Sequence, residues 1–146
     1  MIIYEAFFVN DNEEIQEILK KFRTESFCYE TKDYHVTTEF KPKKLHNNLY
    51  GIPVKILLKK YKSGKLPYKE SFSRNDGFEV EIITENKDLK EIIMSISKNW
   101  HLTGGFDNSA NLTNYLDFSD GKEVSIIIDG YFSGFSTKTN TPIKKD

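Results

Sequence analysis

Two short motifs in the chain combine residue types that can cleave a phosphate ester. A histidine and a threonine separated by one residue occur as His35 and Thr37, and again as His101 and Thr103. Because side chains at positions i and i+2 of a β-strand project from the same face, each histidine is expected to lie beside its threonine. One imidazole can take a proton from the attacking hydroxyl or water while the other gives a proton to the leaving oxygen. The threonine hydroxyls can donate hydrogen bonds to the non-bridging phosphate oxygens, where charge builds.

The first half of the chain predicts a strand, a helix and two further strands. Ile2 to Val9 is apolar and aromatic, which is typical of a buried strand. An amphipathic helix follows, with capping residues at 10–12, an acidic first turn and a basic last turn. Tyr34 to Phe40 predicts the strand of the first motif, and another strand is predicted from about Leu49 to Tyr61.

The same order of elements recurs in the second half of the chain. Phe78 to Ile82 alternates apolar and polar residues, which indicates a half-buried strand. Asn86 is a candidate N-cap for a helix, and Trp100 to Thr103 predicts the strand of the second motif. A last strand begins at Val124 and reaches Phe132.

This internal duplication predicts an α+β fold with two pseudo-symmetric lobes. Each lobe would be a small antiparallel sheet with a helix packed on it, and the lobes would flank a central groove. They would span about 1–63 and about 77–135 of a single domain, 1–135, joined by Gly64 to Asp76. Residues 136–146 are predicted to be a polar tail. Across such a groove the two histidines and two threonines would meet.

Lobes that each carry one His-x-Thr motif resemble the 2H phosphoesterase superfamily, which includes the RNA 2',3'-cyclic phosphodiesterases and the LigT-like proteins. The resemblance covers nearly the whole chain, from residue 1 to about 135. It matches His35 and His101 to the catalytic histidines of the family, and Thr37 and Thr103 to its phosphate-binding hydroxyls.

The family motif usually continues with hydrophobic residues at its second and fourth positions. Val36 and Leu102 follow this pattern at the second position, whereas Thr38 and Gly104 depart from it at the fourth. The resemblance implies a metal-independent phosphodiesterase without a cofactor. Its substrate would be of the nucleotide type: a 2',3'-cyclic phosphate, a 2'-5' linked or cyclic oligonucleotide, or an RNA end. The resemblance does not choose among these.

Other interpretations of the two motifs stay open. A non-catalytic nucleotide- or RNA-binding module of the same fold would use both histidines as hydrogen-bond donors. Two structural histidines, each bonded to a neighbour, are another interpretation of the motifs. A structural or protein-interaction domain would use the lysine stretch from Lys41 to Lys69 as its contact face. Oligomeric state is open in every case.

Several aromatic residues flank the motifs or lie on the outer strands. Tyr4, Phe8 and Tyr131 are candidates for stacking on a nucleobase, although aromatic residues on strands more often belong to the core. Tyr34 and Trp100, which precede the two histidines, are expected to point away from them toward the helices.

The bulk composition excludes several function classes. A net charge of −1 gives no global attraction to nucleic acid or membrane. Nine lysines and no acidic residue lie between Lys41 and Lys69, and this stretch would face either phosphate or solvent. Three scattered histidines and one cysteine, Cys28, form no zinc pattern, so no metal is expected. His46 lies in a predicted loop and is interpreted as a surface histidine.

The location of the protein is expected to be cytoplasmic. No apolar run approaches the roughly 18 residues that a membrane-spanning helix needs. The first five residues have no basic region and are read as the start of a strand rather than a signal peptide.

Overall fold

The fold is that of a computed structural model, which describes residues 1–10, 12–23, 26–30, 34–40, 42–96, 100–107, 112–139 and 141–143. Over these residues the chain is α+β, with two helices and one antiparallel sheet, and the predicted fold class is confirmed at this level. In chain order the elements are β1 (Ile2–Val9), α1 (Glu13–Lys21), β2 (Tyr29–Glu30), β3 (His35–Phe40), β4 (Pro53–Tyr68), β5 (Ser71–Ile83), α2 (Lys87–Ser95), β6 (His101–Phe106), β7 (Lys122–Ser136) and β8 (Thr141–Pro142).

Both helices begin where the sequence places a side-chain cap. The Asn12 side chain accepts a hydrogen bond from the Ile15 backbone N–H at 2.9 Å, and the Asn86 side chain accepts one from the Leu89 N–H at 3.0 Å. Each bond satisfies one of the backbone donors that a helix leaves open at its start. Ile15, Leu19 and Leu89 then bury their side chains in a core shared with the sheet.

The sheet runs in the order β2-β6-β5-β4-β7-β1-β3, and β8 pairs with β7. Alternate residues of its strands face the helices and form the core: Phe7, Val36, Ile56, Leu58, Phe78, Leu102 and Phe132. The two ends of the sheet approach each other on this core side. The rings of Phe7 on β1 and Trp100, just before β6, lie 6.1 Å apart although three strands separate β1 from β6.

The segment predicted to join the two lobes, Gly64 to Asp76, is itself part of two paired strands. These residues are the end of β4 and the start of β5, which pair from Lys55↔Ile83 to Tyr68↔Ser71 around a tight turn at Lys69 and Glu70. Gly64 lies inside a strand. A Cβ there would stand 3.2 Å from the Leu116 side chain, which packs against the bare backbone.

The last strand is also longer than the sequence predicts. β7 begins at Lys122 and continues to Ser136, beyond the predicted end at Phe132. Thr141 and Pro142, in the segment predicted as a polar tail, pair with Ser136 and Phe135. Among the described residues, no helix is long and apolar enough to cross a membrane.

Candidate functional site

The first motif begins β3, at one end of the sheet. Val36 is fully buried in the core, so His35 and Thr37 project from the opposite face. The neighbouring strand β1 pairs Phe8 with His35 and Ala6 with Thr37. Both motif side chains are half-buried.

The second motif begins β6 and has the same arrangement. Leu102 is fully buried in the core, so His101 and Thr103 project from the face away from the helices. The neighbouring strand β5 pairs Glu79 with His101 and Gly77 with Thr103. His101 is half-buried and Thr103 is buried.

The structure places the two motif strands close together. β3 and β6 are not hydrogen-bonded neighbours, because β5, β4, β7 and β1 lie between them in the sheet order. Residues of β3 nevertheless lie within 8 Å of residues of β6, measured between Cα atoms. Both histidines are the first residues of their strands and use the same face of the sheet. The strands that carry the two motifs are therefore close where the ends of the sheet approach each other.

The predicted aromatic residues gather around the first motif. The Tyr4 ring stacks on the His35 ring at a centroid distance of 4.9 Å and on Phe135 at 5.1 Å. Phe8 lies 5.7 Å from His35 and 5.8 Å from Tyr131. Phe8 is only 2% exposed and packs beneath its neighbours, whereas Tyr4 and Tyr131 are half-buried and offer ring surface.

Tyr34 and Trp100 point into the core, as their positions beside the histidines predict. Tyr34 is 3% exposed and belongs to the core, and Trp100 packs against it.

The residues beside the second motif are charged rather than aromatic. Glu79 is opposite His101 on β5 and opposite Lys60 on β4. The Lys60 ammonium donates to the Ser119 carbonyl oxygen at 3.1 Å and lies 3.8 Å from a Glu123 carboxylate oxygen. Further along the basic stretch, Lys62 donates to Asp120 and Lys55 to Asp129. These lysines therefore meet carboxylates of the protein itself, which reduces the basic character inferred from the sequence.

A β-bulge follows the threonine of each motif, and a buried carboxylate stands at each bulge. The register between β1 and β3 shifts between Glu5 and Ala6, and that between β5 and β6 shifts between Asn75 and Gly77. Glu5 and Asp76, at these shifts, are each 1% exposed. A bulge leaves an extra residue outside the ladder, and the groups around it need other partners.

Two residues of the segment before β4, His46 and Tyr50, contact the Glu5 carboxylate. The carboxylate accepts from the His46 backbone N–H at 2.8 Å and from the Tyr50 hydroxyl at 2.7 Å, and it lies 2.8 Å from His46 Nδ1. The Thr38 hydroxyl donates to the Glu5 carbonyl oxygen at 2.9 Å. His46 thus holds a buried carboxylate and is not a plain surface residue.

Because of the Tyr50 hydroxyl, we expect the free energy of unfolding to fall at alkaline pH. Burial first, and then the hydrogen bond to Glu5 and its negative charge, raise the pKa of the Tyr50 hydroxyl. The unfolded chain releases this proton near pH 10, while the folded chain keeps it to higher pH. Above about pH 10 the folded state binds more protons, so the free energy of unfolding falls as pH rises.

Urea unfolding between pH 8 and 11 measures this effect. The variant Tyr50→Phe is less stable than the wild type at pH 8 but loses less stability toward pH 11. Tyr115→Phe, which removes an exposed hydroxyl, keeps the wild-type dependence. Parallel curves for the wild type and Tyr50→Phe would contradict the assignment.

The Asp76 carboxylate accepts hydrogen bonds from residues just after α1, on β4 and on β6. Arg23, just after α1, donates from Nε at 3.1 Å and from Nη2 at 3.3 Å, and is itself 8% exposed. The Tyr61 hydroxyl and the Gly105 backbone N–H also donate to this carboxylate. A Cβ on Gly104 would collide with the Asp76 carboxylate and the Arg23 guanidinium.

The fourth residue of each motif contacts the residue whose buried carboxylate stands at the bulge. Thr38 supplies a hydrogen bond to Glu5, and Gly104 leaves room for the Arg23–Asp76 pair.

Sequence reasoning missed Glu79 as a neighbour of His101 and missed both buried carboxylates. Alternation in Phe78 to Ile82 places Glu79 on the face away from the core, which is the face of the motif histidines. The partners of Glu5 and Asp76 are distant in sequence and leave no local signal.

Comparison with protein-family models, with curated proteins and with solved structures finds no match to the chain. Among the described residues, no three histidine, cysteine or acidic side chains are grouped to hold a metal ion.

Proposed function

We propose that the chain is a metal-independent phosphodiesterase that acts on a nucleotide-type substrate through His35 and His101. The observation that carries the proposal is the approach of β3 and β6 to within 8 Å, with the motif side chains on the same face. One histidine accepts the proton of the attacking oxygen and the other protonates the leaving oxygen. Thr37 and Thr103 bind the non-bridging oxygens.

We further propose that the two halves are pseudo-symmetric lobes, as the duplication predicts. The strand order β6-β5-β4-β7-β1-β3 supports this, because exchanging β1 with β5, β3 with β6 and β4 with β7 reproduces it in reverse. The pairing registers agree as well: Phe7 and Phe78 stand opposite the central residue of each motif. The matching bulges after the two threonines support the same relation.

The surroundings of His35 favour a substrate with a nucleobase. Tyr4 and Tyr131 present partly exposed rings on the face of the motif. Stacking of a base on an aromatic side chain contributes about 1–3 kcal/mol and tolerates any base. This leaves the linkage open among 2',3'-cyclic phosphates, 2'-5' linked oligonucleotides, cyclic oligonucleotides and RNA ends.

A substrate screen in EDTA tests the proposal. The panel contains 2',3'-cyclic nucleotides, 2'-5' linked oligoadenylates, cyclic oligonucleotides and RNA with a terminal cyclic phosphate, and products are separated by chromatography. We expect cleavage of at least one class with the chelator present. Ligands recovered intact, together with a raised melting temperature, would indicate a binding module instead.

Removing the Tyr131 ring should weaken substrate binding more than it slows chemistry. We expect Tyr131→Ala to raise KM about 5- to 100-fold, with kcat much less affected, because stacking contributes about 1–3 kcal/mol. Phe72→Ala is the matched control, since Phe72 is 61% exposed near the tip of the β4–β5 hairpin. Equal KM values for Tyr131→Ala and the wild type would remove this residue from the substrate site.

A further inference from the structure

A pair of stacked aromatic rings lies on the strand of the second motif and on the short strand beside it. Tyr29 on β2 is directly opposite Phe106, the last residue of β6. Their ring centroids are 5.5 Å apart, and the ring planes differ by 16°. Tyr29 is 46% exposed and Phe106 is half-buried. The pair therefore offers ring surface to a ligand instead of filling the core.

Strand register places these rings on the face of the second motif. Thr103 is opposite Gly77 on β5, and Phe106 is opposite Asn75. Because Gly77 and Asn75 are two residues apart in one strand, their partners share a face. The residue between them, Asp76, points to the core side, where it forms the buried ion pair described above. Two strand positions span about 7 Å, so the rings lie beyond the reach of a phosphate at Thr103 but within that of a nucleoside attached to it.

The first motif has an aromatic ring in the corresponding place. Phe106 is the fifth residue after His101, as Phe40 is the fifth after His35. β1 places Tyr4 opposite Phe40, and the half-buried Tyr4 ring stacks on His35. Each motif strand thus ends, past its bulge, opposite a tyrosine with accessible ring surface. A phosphate held between the motifs has a stacking surface on either side.

We propose that Tyr29 and Phe106 form a second base-stacking subsite, and that the substrate is an oligonucleotide with a nucleobase on each side of the phosphodiester that is cleaved. This inference rests on the proposed function. One base stacks on Tyr4 and Tyr131, and the other stacks on Tyr29, whose ring packs against Phe106. A mononucleoside 2',3'-cyclic phosphate carries a single base and would fill only one subsite. Stacking tolerates every base, so the subsite selects the number of bases and not their identity.

Binding of a fluorescent dinucleotide tests the subsite without turnover. The probes are diadenylates, 2'-5' and 3'-5' linked, in which 2-aminopurine replaces either adenine and is quenched when it stacks on an aromatic ring. They are titrated into the full chain carrying His101→Ala, so that they are not cut. We expect Tyr29→Ala to weaken binding about 5- to 100-fold and to relieve quenching at one label position, and Tyr131→Ala to relieve it at the other. Equal affinity and quenching with and without the Tyr29 ring would overturn the subsite.

Inorganic phosphate separates stacking from a general disturbance of the site, because it carries no base. We expect Tyr29→Ala to keep the wild-type affinity for phosphate, followed through the histidine signals by NMR, while it loses affinity for the dinucleotide. Tyr29→Phe should keep both affinities, since it retains the ring. Phe72→Ala, which removes a ring that is 61% exposed near the hairpin tip, should also keep both. A parallel loss of phosphate affinity in Tyr29→Ala would show a structural role and overturn the subsite.

The two proposals fail in different ways. If no substrate of the screen is cleaved but dinucleotide binding depends on Tyr29, the catalytic function is refuted and the subsite stands. If cleavage depends on both histidines but Tyr29→Ala binds the dinucleotides as the wild type does, the subsite alone is refuted.

Discussion

Replacing either His35 or His101 with alanine is expected to lower turnover by about 10²- to 10⁴-fold while the protein stays folded. Positioned acid or base catalysis contributes about this much to an enzymatic rate. Both histidines project away from the core and are only half-buried, so their removal leaves the packing around Val36 and Leu102 intact. Initial rates in EDTA and circular dichroism spectra of each variant measure the two expectations.

The double variant sharpens this prediction. If the two rings act in one proton-transfer sequence, His35→Ala with His101→Ala should be little slower than the slower single variant, because such losses are far from additive. Tyr115→Phe is the control, since Tyr115 is exposed and lies on neither motif strand. Single variants with wild-type turnover, or losses that multiply in the double variant, would speak against a shared site.

Replacing Asp76 with asparagine is expected to reduce the free energy of unfolding by about 3–5 kcal/mol, because it leaves a buried charge without its partner. Arg23 is 8% exposed and donates to this carboxylate from two nitrogen atoms. Tyr61 and the Gly105 backbone N–H would also lose a charged acceptor. Urea unfolding at neutral pH measures the change.

Two further variants isolate the cause of that loss. Asp120→Asn breaks the exposed ion pair with Lys62 and should cost only about 0–1 kcal/mol. Arg23→Met combined with Asp76→Asn removes the stranded charge and should recover part of the stability. A single Asp76→Asn variant as stable as Asp120→Asn would contradict the role assigned to the buried pair.

Local signals in the sequence were sufficient for most of the elements. Asn12 and Asn86 cap helices where the predicted helices begin, because capping depends on residues within one turn. The strands of both motifs were placed correctly, since alternation fixes which side chains reach the core. The extension of β4 and β5 into a long hairpin was not predicted. Gly64 satisfies a packing requirement inside β4, but a glycine in the sequence is equally compatible with a turn.

The approach of the two motif strands could be expected from the repeated order of elements, but the surroundings of each histidine could not. Those surroundings depend on register: Phe8 stands opposite His35, and Glu79 opposite His101. Register arises from contacts between segments far apart in the chain. The bulges supported by Glu5 and Asp76 shift it by one residue, and no local pattern marks them.

The two faces of the sheet carry different groups of residues. The core side of the sheet, with its buried carboxylates, fixes the position of the two motif strands. On the opposite side His35, Thr37 and His101 are partly exposed, with aromatic rings beside His35 and Glu79 opposite His101.

The central claim, that both imidazoles act on one phosphate group, is tested most directly by titrating the protein with inorganic phosphate and following the three histidine signals by NMR. We expect the signals of His35 and His101 to shift together, with one midpoint in phosphate concentration and one equivalent of bound phosphate. The signal of His46 should not move. A response from only one of the two, or two separate midpoints, would contradict it.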